Sequence, residues 1–169
     1  MQQRTIIKEE LPLAKEYRMS QERLDELKQE LNYLKTVREK EVADQIKEAR
    51  SFGDLSENSE YDEAKNEQGK LYSRIVELGD ILAHAIVIDE GDLTTDSVGV
   101  GSHVEVEALD GGMKGAYQIV GSQEADPMNG RISEESPFGQ ALLGKKCGEE
   151  VLVSAPAGTI HYRIIKIRK

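Results

Sequence analysis

Residues 56–85 read SENSEYDEAKNEQGKLYSRIVELGDILAHA. Within them Tyr61, Ala64, Gln68, Leu71, Ile75, Leu78, Leu82 and Ala85 alternate by steps of three and four without a slip. An apolar stripe sustained over roughly three heptads is the seam of a coiled coil, because those steps keep one helix face turned to a partner. The polar Gln68 in that seam is placed to set register.

The partner lies immediately upstream. Residues 20–51 read as one helix, with Ser20 as N-cap and Leu24, Leu27, Leu31 and Leu34 as its seam. The seam slips after Leu34 and resumes at Val42, Ile46 and Ala49. Successive steps of four across Arg38 form a stutter, which locally unwinds a supercoil. Gly53 breaks the helix, so the two apolar faces meet as an antiparallel hairpin. At ~1.5 Å per residue, helices of about 30 residues make a probe ~45 Å long, too thin to enclose a globular core.

Beyond the hairpin the composition changes. Of 15 glycines only Gly53, Gly69 and Gly79 precede residue 89, and three of the four prolines follow it. Residues 89–101 read as a linker. Strands are expected at His103–Leu109 and Ala116–Val120, around the turn Asp110-Gly111-Gly112. Ser136-Pro137 opens a short helix that Gly144 ends. Two more strands, Val151–Ser154 and Thr159–Ile167, flank Pro156-Ala157-Gly158. The expected fold class is therefore α+β in two domains: a leader at 1–19, a coiled-coil hairpin at 20–88 with its tip at 50–61, the linker, and a small α+β domain at 102–169.

The bulk numbers exclude several roles. Net charge is −10, from 32 acidic and 22 basic residues, so the chain has no general attraction for nucleic acid or an anionic membrane. The single cysteine, Cys147, allows no internal disulfide, as suits a reducing cytoplasm. The N-terminus has no signal-peptide core, and no stretch approaches the ~20 apolar residues that span a bilayer. His84, His103 and His161 lack metal-ligand spacing, and Cys147 reads as a spare thiol in a turn.

Chemistry concentrates at the hairpin tip. Asp54 and Glu57 stand three apart at a helix start, where both carboxylates can share one face and remain ionised near the positive end of the helix dipole. Two carboxylates hold magnesium weakly, and phosphates or another protein must complete the shell. Spacing alone favours a plain helix cap, with Asp54 as N-cap and Glu57 closing a capping box. Arg50 and Lys65 flank the tip as phosphate contacts or as solvated charges, and Phe52 and Tyr61 read as local packing.

The run Gly-Asp-Leu-Ser-Glu-Asn-Ser-Glu-Tyr at 53–61, followed by Ala64-Lys65 and Glu67-Gln68, resembles the tip signature of the GreA/GreB family of transcript-cleavage factors. Arg131-Ile132-Ser133, Ser136-Pro137, Ala141-Leu142-Leu143-Gly144-Lys145 and Ala155-Pro156-Ala157-Gly158 resemble that family's C-terminal domain, in the same order. The likeness covers nearly all the chain after residue 19, and the leader is longer than the family leads one to expect.

The resemblance implies an FKBP-like C-terminal domain that docks through Ser136 and Pro137 on the rim coiled coil of the largest RNA polymerase subunit. It implies that the hairpin enters the secondary channel. There Asp54 and Glu57 would share a magnesium ion with the polymerase, and Arg50 and Lys65 would contact the 3′ end of nascent RNA. The polymerase itself would cut the backtracked transcript. The factor would then be no enzyme on its own, a cytoplasmic monomer with no tightly bound cofactor and no membrane partner. Ser56, where some relatives carry lysine or arginine, leaves the tip less basic and points to short cleavage products. Three other readings stand beside this one. They are a secondary-channel regulator that does not promote cleavage, a coiled-coil adaptor or chaperone, and a prolyl isomerase. For the last, Tyr117, Phe138 and Tyr162 are too few aromatics to line an active pocket.

Overall fold

The structure is a computed structural model that describes residues 15–53 and 58–169. The upstream arm is α1 (Gln21–Tyr33), a π-helical turn at Leu34–Arg38, and α2 (Glu39–Ser51). The return arm is α3 (Ser59–Ala83). The π turn sits where the seam slips. Inserting one wider turn rotates the apolar face back toward α3, so the stutter is accommodated by local unwinding within one continuous arm. At ~1.5 Å rise, the 25 residues of α3 span ~37 Å.

Two apolar clusters hold the arms together. Toward the tip, Val42 and Ile46 pack on Ala64 and Leu71, with Leu34, Tyr61 and Ile75 at the edges. At the base, Leu27, Leu78 and Ile81 surround Met19, which is fully buried. Ile81, next to the expected seam residue Leu82, takes the deeper position because the base has a third neighbour besides α1. Gln68 does not reach across the seam, since its Oε1 accepts from Lys65 Nζ on the same helix at 2.6 Å. Arg74 donates across the arms to both oxygens of Glu30 at 2.8 and 3.0 Å and along its own helix to Glu77, which together raise its already high pKa further.

That third neighbour is a short strand, β1 (Tyr17–Met19), paired in parallel with β2 (Ala85–Val87), where the chain leaves α3. Residues 15–19, expected as leader, are thus built into the base of the hairpin. Residues 1–14 of that leader lie outside the described residues.

The second domain is a five-stranded sheet in the order β5-β4-β3-β7-β6. Its strands are β3 (His103–Ala108), β4 (Lys114–Val120), β5 (Arg131–Ser133), β6 (Glu150–Ala155) and β7 (Gly158–Arg168). All pairings are antiparallel except β4 with β5. The short helix α4 (Pro137–Leu142) packs on the sheet through Leu142, and Val104, Val106, Ile119, Val151, Val153 and Ile164 fill the core beneath it. Val98 is buried in that same core, and Leu93 is nearly buried, so part of the segment expected as linker is packed structure. Tyr117, Phe138 and Tyr162 stack edge-on at 5.0 and 5.2 Å between centroids. No helix among the described residues is long and apolar enough to cross a membrane.

Candidate functional site at the hairpin tip

α2 ends at Ser51, with Phe52 capping it and Gly53 turning the chain at φ 106°, a left-handed conformation that favours glycine. α3 begins at Ser59, and its N-cap is Asn58, whose Oδ1 accepts from Tyr61 N at 3.2 Å. Asn58 holds the N-cap position of α3. Asp54 and Glu57 both precede the cap and lie outside the described residues.

The closure of the hairpin is visible on either side of them. Asn58 Nδ2 donates to the Ala49 carbonyl at 2.6 Å, so one side chain caps the incoming helix and satisfies a free carbonyl of the outgoing one. Arg50 lies over the Tyr61 ring at 5.6 Å, and its guanidinium donates to the phenolic oxygen at 3.5 Å. That bond, more than any other influence, draws the Tyr61 pKa down. Arg50 and Tyr61 are thus brought together, and Tyr61 is packing as expected. Lys65 points away to Gln68. Phe52 is corrected: it is 66% exposed and packs little.

Asn58 is the residue that reading the sequence missed. Its signal was present, since asparagine directly before Ser59-Glu60-Tyr61 is a good N-cap, but Asp54 competed for the role. Asn58→Ala should cost ~1 kcal/mol through loss of the cap. Amide exchange in the first turn of α3 should then rise about fivefold, and unchanged exchange would show that the closure does not depend on Asn58.

Ser136 and Pro137 belong to the other domain. Ser136 is the N-cap of α4: its Oγ accepts from Gly139 N at 3.0 Å and donates to the Ser133 carbonyl at 2.8 Å. Pro137 takes the first helical position and is exposed. Gly139 is buried against the backbone of Ser133, where a Cβ would collide with the carbonyl oxygen. Among the described residues no group of three or more histidine, cysteine or acidic side chains could hold a metal ion.

The described residues thus form a two-helix hairpin and a small sheet domain. The comparisons identify the class. Residues 17–87 match the family described as "Transcription elongation factor, N-terminal", and residues 93–169 match "Transcription elongation factor, GreA/GreB, C-term". The chain belongs to the GreA/GreB family of transcription elongation factors. It is 54% identical over 157 residues to the transcription elongation factor GreA of Thermoanaerobacter pseudethanolicus, covering 93% of this chain and 100% of that protein. Against the GreA of Clostridium perfringens the identity is 50% over 155 residues, covering 92% and 98%. Among solved structures, the GreA factor homolog 1 of Thermus thermophilus is 29% identical, covering 92% of this chain and all of that one, with a TM-score of 0.42.

Proposed function

We propose that this chain stimulates the RNA cleavage that RNA polymerase performs on its own backtracked transcript. The observation that supports this most is the family membership, carried on a hairpin that Asn58 closes onto Ala49. Ala49, Arg50, Asn58 and Tyr61 close the hairpin among themselves. Asp54 and Glu57 stand in the sequence between those closing residues, outside the described residues. Two carboxylates at the end of a probe ~37 Å long are placed to work inside a partner.

In this reading the sheet domain docks at the rim of the polymerase secondary channel through the surface around Ser136 and Pro137. The hairpin enters the channel. Asp54 and Glu57 would hold a magnesium ion jointly with the polymerase, and a paired ion supplies charge stabilisation for both attacking and leaving oxygens of a phosphodiester displacement. With two carboxylates and phosphate oxygens the donor set is one that magnesium accepts. The side chains of this chain do the positioning: Asp54 and Glu57 orient the attacking water, and Arg50 faces the transcript from the outgoing helix. Arg50 is held by Tyr61, so its charge is fixed at the tip. Lys65 stands seven positions past the cap, from where its reach to RNA requires release from Gln68.

This arrangement explains how a protein of net charge −10 acts on RNA: the polymerase holds the RNA, and the factor brings carboxylates. The factor alone should not cut RNA. The test is cleavage in a stalled, backtracked elongation complex with magnesium, in parallel with the same RNA free in solution. Fragment release only in the complex supports the reading, and release from free RNA would contradict it.

A further inference from the structure

The joint between hairpin and sheet domain contains a polar clasp. Glu124 closes a 3-10 turn (Ser122–Glu124) after β4, and its side chain is only 9% exposed. One of its oxygens accepts from Ser20 N at 3.0 Å, and the other accepts from Ser20 Oγ at 2.6 Å and from Arg131 at 3.3 Å. Ser20 is also the N-cap of α1, its Oγ accepting from Arg23 N at 3.2 Å. A single carboxylate of the sheet domain therefore grips the residue that starts the hairpin.

The backbone beside it is equally close. Gly121 has an ordinary φ of −64°, yet a Cβ there would run into the Arg18 carbonyl oxygen of β1. Glycine is required at that position by the approach of the two domains, not by its own conformation. Further along, Arg18 pairs with Glu134 and Lys15 with Glu135, both at 3.0 Å. These two acids directly precede Ser136. The strand that seals the base of the hairpin thus also lies along the segment that carries the docking residues. The cleft beside the clasp, about 350 Å³, is lined by polar side chains including Arg23, Glu26 and Asp126, so no apolar core fixes the angle there.

We infer that Glu124 and Gly121 are positioning residues: they preset the direction of the hairpin relative to the docking surface, so that a docked factor already aims its tip into the channel. If the free protein samples other directions, apparent affinity falls by the fraction that is aimed correctly. Loosening the clasp should therefore raise the factor concentration for half-maximal cleavage and leave the maximal rate unchanged.

The clasp is tested on the whole chain by pulsed electron spin resonance between labels on Cys147, which is exposed, and on an introduced Lys40→Cys on the hairpin. The parent should give one narrow distance distribution. Glu124→Ala and, separately, Gly121→Ala should broaden or shift it, with helical circular dichroism unchanged. The three atoms nearest to a Cβ at Gly121 all belong to Arg18 and Met19 of β1, so Gly121→Ala strikes the joint first. Unchanged distributions in both variants would overturn the inference. The second arm rests on the cleavage reading: half-maximal concentration should rise about tenfold if the aimed fraction falls to about a tenth. A changed distribution with unchanged half-maximal concentration would overturn the positioning role. Failure of the parent itself to stimulate cleavage would instead contradict the functional reading, and the distances would still decide whether the clasp exists.

Discussion

Replacing both Asp54 and Glu57 by alanine is expected to return transcript cleavage to the polymerase's own unstimulated rate. Each single replacement should lower stimulated cleavage by about 10- to 100-fold, the usual cost of losing a carboxylate that orients a metal or its water. Binding should survive. Docking is assigned to the surface around Ser136 and Pro137 in the other domain, and the described contacts from Ala49 to Asn58 and from Arg50 to Tyr61 hold the two arms together. The double variant should therefore compete with the parent protein for polymerase at near-equal concentration. Retained cleavage in the double variant would remove the acids from the mechanism. Lost competition would mean that they serve docking instead.

The largest stability effect is expected from Leu78→Ala. Leu78 is fully buried in the cluster where α1, α3 and β1 meet, against Leu27, Ile81 and Met19. Truncating a leucine in such a site removes transfer free energy and leaves a cavity, together costing about 2–5 kcal/mol. For a chain of this size that corresponds to a melting temperature about 10 °C lower, followed through helical circular dichroism. The effect should exceed that of Ile75→Ala, because Ile75 is only partly buried at the edge of its cluster. Equal effects would mean that the base of the hairpin is looser than its packing indicates.

The hairpin was legible because its signal is periodic. A seam of threes and fours needs no tertiary knowledge, and even the slip after Leu34 reappeared as the π turn at Leu34–Arg38. The strands His103–Ala108 and Gly158–Arg168 were legible for the same reason, with alternation between turns rich in glycine. The strands β1, β2 and β5 were not. Each has three residues, too short for any period, and each exists because of a partner distant in sequence. Tyr17–Met19 is a strand only because Ala85–Val87 lies alongside it. Val98 joins the core although its neighbours read as linker, since one buried valine among polar residues leaves no pattern.

At the tip, the residue types were legible and the roles less so. Asp54 and Asn58 are both good caps, and local spacing could not choose between them. Asn58 caps α3 through Tyr61 N and also bonds the Ala49 carbonyl, a contact that only the folded hairpin creates, while Asp54 lies outside the described residues. Ser20 was read correctly as an N-cap, but its second partner, Glu124, stands 104 positions away and left no mark on the local sequence. Ser136 was likewise readable as a cap, and its bond to the Ser133 carbonyl became apparent only with β5 in place.

The most direct test is release of the 3′ fragment from a stalled, backtracked elongation complex in magnesium, with the parent chain and the Asp54→Ala, Glu57→Ala variant side by side. The account predicts rapid release with the parent and only the unstimulated rate with the variant. No release with the parent, together with slowed nucleotide addition, would contradict it and show a channel-occupying regulator that does not promote cleavage.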